Sequence, residues 1–244
     1  MSLMDGIGHI GYKIVLFAWC VNLLFACETT NGRRPNVEAD RDIDAAAHQV
    51  GQDVIKEQLL GQDPGRRHIW QKPELIMRKM GGVRDKVIAD IGAGTGYFSF
   101  RFLPKAKRVI AVDVDPAMVK WMMRKRQNLH DTLQSKFDVR LCTPEDPLLN
   151  PAEVDVAFMA NIYPYIKDYA VDYLKIVKKS IRPGGMLVIV DFKKKHTEIG
   201  PPVQYRVSLG QVELDLQRAG FEIIESDDSS LAFQYIVLAR PVLQ

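Results

Sequence analysis

Val87-Ile-Ala-Asp-Ile-Gly-Ala-Gly-Thr-Gly-Tyr-Phe98 is the stretch on which the reading of this chain turns. Val87 to Ile91 is an apolar run broken only by Asp90, the pattern of a strand buried on both faces. Gly92, Gly94 and Gly96 follow at once, and a helical pattern starts behind them. A strand, a glycine turn and a helix start make an anion site. Glycines let the backbone approach a ligand closely, and the first N–H groups of the helix face negative charge. A nicotinamide or flavin fingerprint spaces its glycines G-x-G-x-x-G, whereas here the spacing is G-x-G-x-G with an acid ahead of it. The competing reading is a glycine turn without a ligand.

The segments downstream repeat the strand-then-helix alternation. Val109 to Val112 reads as a second strand ending on Asp113. Asp115-Pro116 supplies an N-cap and a proline at the first helical position, with Met118 and Met122 on the inner face. Lys120, Arg124, Lys125 and Arg126 read as a solvated basic face. Phe137 to Cys142 and Val154 to Ala160 are further strands, and Tyr165 to Ile181 has helical spacing. Arg182-Pro-Gly-Gly185 turns into a fifth strand, Met186 to Val190, ending on Asp191. After a polar segment, Ser208 and Gln211 form a capping box for a helix with Leu209, Val212, Leu216 and Ala219 inward. Phe221 to Glu225 and Phe233 to Ala239 are close enough to pair as an antiparallel hairpin. The expectation is an α/β fold, a seven-stranded mostly parallel sheet with an antiparallel terminal hairpin and helices on both faces.

Upstream of the glycine loop, residues 44–82 read as a helical cap at the start of a domain covering 44–244. A helical spacing runs through Val50, Val54, Ile55 and Leu59, and Gln62-Asp-Pro-Gly65 breaks it. Pro73 opens a second helix to Met80, which Gly81-Gly82 closes. Arg66 to Pro73 joins the two, and Trp70 in it either lines a ligand mouth or covers the core. Further upstream, Ile14 to Ala26 is mostly apolar behind Lys13, too short to span a membrane but suited to a signal peptide. It ends Leu24-Phe25-Ala26-Cys27, which resembles a bacterial lipoprotein signal. The resemblance implies a signal peptide over 1–27, lipid on Cys27 and a place in the cell envelope. Residues 28–43 then read as a polar tether. If the leader is not a functional signal, the protein is cytoplasmic.

Composition sets the bounds. Apolar residues make up 47% and charged residues 26%, which fits a globular chain, and a net charge of +3 does not by itself argue for nucleic acid. The three cysteines, Cys20, Cys27 and Cys142, show no metal-binding or disulfide spacing.

Asp113 lies 23 residues after Asp90. There a carboxylate can accept both hydroxyls of a ribose lying across the switch point of the sheet, and Val114 can press on an adenine face. Glu145 or Asp146 can accept from an adenine amino group or serve as a turn residue. Asp-Ile-Gly-Ala-Gly-Thr-Gly resembles the first motif of class I methyltransferases that use S-adenosylmethionine. Trp70-Gln-Lys-Pro73, Thr143 to Pro147, Pro183-Gly-Gly185, Gly200-Pro-Pro202 and Ala219-Gly-Phe221 resemble one group of that class. The resemblance covers about residues 66–240 and implies a Rossmann-like fold with S-adenosylmethionine as cofactor. It puts Asp90, Gly92, Ala93, Gly94, Gly96, Asp113, Val114, Glu145, Asp146 and Asn161 at the cofactor.

Relatives often carry an acid and a histidine where this chain has Asn161 and Pro164, so no catalytic base is carried over to these positions. Tyr163, His196 and Arg206, with Trp70, are the acceptor-side candidates. Class members that methylate base or amide nitrogen carry an Asn-Pro-Pro-Tyr turn, which Asn161-Ile-Tyr-Pro164 does not match. The expected partner is therefore a small-molecule acceptor and not nucleic acid, with a protein or lipid at the membrane as alternative. A lipoprotein that binds a nucleoside without turnover is the competitor from outside enzymes.

Overall fold

A computed structural model describes residues 64–242. The proposed signal, Cys27, the tether and the helical pattern over 44–60 lie outside the described residues.

The chain opens with α1 (Pro64–Gln71) and α2 (Pro73–Lys79), then β1 (Val87–Ile91), α3 (Ser99–Phe102), β2 (Arg108–Asp113), α4 (Pro116–Gln127) and α5 (Asp131–Gln134). It continues through β3 (Phe137–Leu141), β4 (Val154–Ala160), α6 (Tyr163–Ile166), α7 (Ala170–Ser180) and β5 (Ile181–Phe192). A short 3-10 turn, Val203–Tyr205, precedes α8 (Leu209–Arg218), β6 (Phe221–Asp227) and β7 (Gln234–Pro241). The seven strands form one sheet in the order β3-β2-β1-β4-β5-β7-β6. β1 to β5 run parallel, and β7 lies antiparallel to both β5 and β6.

All five residues of β1 are buried because the sheet is covered on both faces. Successive side chains of a strand point to opposite faces. Val87, Ala89 and Ile91 accordingly join the core beneath α7 and α8, with Leu174, Val177, Val212 and Leu216. Ile88 joins the opposite core, which Phe98, Phe102 and Phe158 fill together with Ile76 from α2. The sheet order reverses between β1 and β4, so a crevice opens at their carboxyl ends.

Four local expectations are revised. Arg66 to Pro73 is not a mere joint, since α1 runs from Pro64 to Gln71. The break falls at Lys72, whose successor Pro73 disfavours the right-handed helical region for it; Lys72 takes φ 46. The helix expected over 165–181 is two helices, α6 starting with Pro164 in its first turn and α7 starting after Tyr169 leaves helical geometry at φ −133. Pro183-Gly184-Gly185 is a bulge inside β5, where Val154 pairs with Ile181 but Val156 with Met186. A Cβ on Gly185 would stand 2.6 Å from the Asp155 carbonyl, so the strands close up only without a side chain. Finally, only half of the capping box forms: Ser208 accepts from the Gln211 amide at 3.3 Å, while the Gln211 side chain donates to Asp215 at 2.8 Å.

Candidate functional site

The crevice at the carboxyl ends of β1, β2 and β4 holds a cleft of about 270 Å³. Its floor is the loop after β1, where Gly92 and Gly94 take φ of +69 and +56. A Cβ on Gly92 would run into Ile162, so that glycine lets the loop pack against the chain after β4. A Cβ on Gly94 would meet nothing within 4 Å, so the backbone there is open to a ligand. Gly96 has a different task. Its Cβ would lie 2.7 Å from the Phe100 ring, and it is not part of the cleft wall.

Two acids fix this loop. Asp90 is buried, and one carboxylate oxygen accepts from the Ser99 amide (2.9 Å) and hydroxyl (2.6 Å) at the start of α3. Burial pushes Asp90 up to about 6 against the opposing pull of the Ser99 hydrogen bonds and the Arg67 charge. Asp113, at the end of β2, accepts from the Gly94 amide at 2.6 Å and from the Asp115 amide at 2.9 Å. The Asp115 side chain caps α4 through the Ala117 amide at 2.8 Å.

Ala93, Val114 and Asn161 also face the cleft. Asn161 is buried at φ +62, and its side-chain oxygen accepts from Gln234 on β7 at 2.5 Å. That bond ties the end of β4 to the terminal hairpin. Glu145 and Asp146 are not in the wall; Cys142 and Pro144 are. Asp146 is a turn residue: its carboxylate accepts from the Leu148 amide at 2.7 Å, and its amide donates to the Thr143 hydroxyl at 3.1 Å.

The acceptor-side candidates all stand elsewhere. Tyr163 is fully buried and donates its hydroxyl to Asp215 at 2.9 Å, tying α6 to α8. Arg206 is buried as a clamp, donating to the carbonyls of Pro201, Lys193, Lys195 and Ile199 and to the Thr197 hydroxyl. Trp70 packs its ring 5.6 Å from that of Phe192, which covers the core. His196 is exposed in the segment that Arg206 clamps.

Residues that sequence reasoning did not single out form much of the wall: Arg67, Tyr97, Tyr165, Tyr169 and Tyr173; Met118, expected on the inner face of its helix, lines the cleft as well, and Val119 and Met122 are the buried positions. The three tyrosines recur every four residues, a signal that was present but read as helix. Tyr169 donates its hydroxyl to the Pro144 carbonyl at 3.0 Å, joining the α7 side of the cleft to the loop after β3. Burial, with the charges of Asp113 and Asp146, pushes the Cys142 thiol up to about 12, so it stays protonated and is no nucleophile. Among the described residues no cluster of three metal-ligating side chains occurs.

These features fit a nucleoside with a cationic head. The glycine backbone is open, a carboxylate ends the neighbouring strand, and Asp90, Asp113 and Asp115 outnumber Arg67 around the cleft.

Residues 89–187 match a family model described as a methyltransferase domain. A tRNA U34 carboxymethyltransferase of Cellvibrio japonicus is 31% identical over 48% of this chain and 36% of its own length. A malonyl-[acyl-carrier protein] O-methyltransferase of Serratia marcescens is 30% identical over 41% of this chain and 36% of its own length. The chain thus spans about a third of either relative. The crystal structure of a SAM-dependent methyltransferase from Aquifex aeolicus superposes with a TM-score of 0.67 at 23% identity, covering 79% of this chain and 98% of that one. Sheet order, glycine loop and matched segment agree: residues 89–187 are similar to a methyltransferase domain, and the sheet they belong to has the fold of the Aquifex aeolicus methyltransferase.

Proposed function

We propose that the cleft binds S-adenosylmethionine and that the protein transfers its methyl group to a small-molecule acceptor. The observation that carries this reading is the meeting of the open Gly94 backbone with the Asp113 carboxylate across the ends of β1 and β2. Gly92, Ala93 and Gly94 would hold the methionine part, Asp113 the ribose hydroxyls and Val114 an adenine face. Asp90 and Gly96 shape the loop from behind. The bound cofactor supplies a methyl group already activated on a cationic sulfur.

The protein's own contribution is then orientation and the exclusion of water, for which Tyr165, Ile166 and Tyr169 form an apolar flank. Alignment of two reactants contributes on the order of 7–11 kcal/mol. No base is assigned, and none is needed for an acceptor that arrives unprotonated.

Calorimetry with S-adenosylmethionine and S-adenosylhomocysteine tests the reading. Asp113→Ala should weaken both by roughly ten- to a hundredfold, the loss of a charged acceptor worth about 1.5–3 kcal/mol. A wild-type protein that binds neither would overturn it.

A small acceptor is favoured by the net charge of +3 and by the Asn161-Ile-Tyr-Pro164 turn. The tRNA enzymes among the relatives are the observation on the other side. A gel shift with tRNA at about 150 mM salt separates the two; tight, salt-sensitive binding would replace the small acceptor with RNA.

The leader supports a second part of the proposal, lipid attachment at Cys27 and a place in the cell envelope. Cys27→Ser in a bacterial host should leave an uncleaved precursor that takes up no labelled fatty acid. Wild-type protein found soluble and unprocessed would place the domain in the cytoplasm, where S-adenosylmethionine is made.

A further inference from the structure

β3 ends the sheet on the side away from the terminal hairpin, and among the described residues it pairs with β2 alone. The ladder shows which of its backbone groups are already used. The Lys136 carbonyl accepts from the Val109 amide at 2.9 Å, and the Cys142 amide donates to the Asp113 carbonyl at 3.0 Å. Hydrogen bonding alternates along a strand, so Asp138 and Arg140 also turn their backbone groups to β2. Phe137, Val139 and Leu141 turn theirs outward. The edge is open: Leu141 is 50% exposed, and Met123 of α4 is 46% exposed. A groove of about 290 Å³ lies here, lined in part by Met123, Phe137 and Val139.

An unpaired edge is a template for another strand, and proteins usually blunt it with charge. The charges of this edge are instead placed symmetrically. Phe137-Asp-Val-Arg-Leu141 reads apolar, acid, apolar, base, apolar, with acid and base equidistant from Val139. When two copies pair antiparallel about Val139, Phe137 faces the partner's Leu141 and Asp138 faces the partner's Arg140. The residues with outward backbone groups form the hydrogen-bonded pairs. Asp138 and Arg140 then occupy the other pairs, where side chains lie closer, so opposite charges meet at the tighter position. A register shift of two residues either way would set Asp138 against the partner's Asp138, or Arg140 against the partner's Arg140. Charge therefore selects one register. Within one copy, Asp138 already bonds Arg108 and Arg140, and Arg140 bonds Glu153 at 2.7 Å. Two bases and two acids balance there, so pairing joins two neutral networks.

We propose that the β3 edge is a homodimer interface, in which two copies of this chain join antiparallel with Val139 at the two-fold axis. Facing residues of paired strands point to the same side of the sheet, so the partner's Leu141 lies beside Phe137, toward the groove under Met123. The strands of the two copies run in opposite directions. Their clefts accordingly open at opposite ends of one continuous sheet.

Sedimentation of the full chain tests this. Wild type should run as a dimer that dissociates on dilution. Asp138→Arg sets arginine against the partner's Arg140, and Arg140→Asp sets aspartate against the partner's Asp138. Each change acts twice across the axis and should weaken self-association by roughly tenfold or more. An equimolar mixture of the two variants should recover a dimer with one copy of each, because every facing pair is then opposite in sign. That recovery also shows that both variants are folded. Leu141→Lys alters only an exposed side chain, guards against misfolding in the charge variants, and should weaken the dimer too. A wild type that stays monomeric at sub-millimolar concentration overturns the proposal, whether or not the edge takes a peptide of another protein. So does a dimer that Leu141→Lys and both charge variants leave unchanged, which would lie on another face. Folded charge variants that form no mixed dimer also overturn it, since the register would then be wrong.

Discussion

Residues of one type do different work around this cleft, and their neighbours decide which. Gly94 and Gly96 look alike in the sequence, yet one faces open space and the other the Phe100 ring. Gly94→Val should therefore fold, with a backbone cost of about 1–2 kcal/mol, and lose nucleoside binding in a titration. Gly96→Ala should instead lose about 1–3 kcal/mol of stability through overpacking, read from denaturant unfolding. Asp90 gives a pH signature. Its folded value of about 6 lies above the ordinary 3.8, so the native state holds its proton more tightly than the unfolded chain does. Stability from this group is complete below about pH 4 and is lost as the pH rises through about 6. Asp90→Asn does not titrate and can still accept from Ser99. Relative to wild type, its melting temperature should climb by several degrees between pH 4 and pH 7 and then level off, since 1 kcal/mol is worth about 2–4 °C in a chain of this size.

At the level of elements, the strands were legible because a sheet covered on both faces demands continuous apolar runs, and Val87–Ile91 and Val154–Ala160 match their expected bounds. What escaped was decided by single backbone positions. Lys72 ends α1 because of the proline behind it, and Gly185 is absorbed into β5 because the Asp155 carbonyl leaves no room for a side chain. The polar segment after β5 also owes its form to one side chain. Arg206 gathers four carbonyls and a hydroxyl between Lys193 and Pro201 over the Phe192 ring. Arg206→Ala should cost at least about 2 kcal/mol and speed hydrogen exchange across 193–201 while leaving the amides of β1 protected. The link between α2 and β6 carries an acid-side signature. Burial alone would raise Asp227, but Lys79 at 2.8 Å and the Ser229 and Ser230 donors hold it well below the usual carboxylate range. Its stabilisation is present above the ordinary carboxylate value and fades as the pH falls below about 4. Lys79→Met should therefore be less stable than wild type near neutrality, with the gap in thermal melts narrowing at low pH.

For the molecule as a whole, the sequence disclosed half of the cleft and hid the other half. The floor was readable because Asp90, the glycines and Asp113 lie at strand ends, where order along the chain fixes position in the sheet. The walls were not, because Arg67, Tyr97 and Tyr169 reach the cleft from separate elements and carry no spacing that marks them as neighbours. Tyr163 and Arg206 drew notice as polar groups in suggestive segments, yet both are internal ties. Polar side chains serve interior hydrogen bonding as readily as ligands. The bond from the Gly94 amide to Asp113 has one more consequence. A short N–H bond to a carboxylate draws electron density from the proton and moves its NMR resonance downfield. The Gly94 amide is thus a reporter built into the chain, and any ligand hydroxyl that competes for Asp113 should shift its peak upfield, separating occupants of the ribose end from those that touch only the walls.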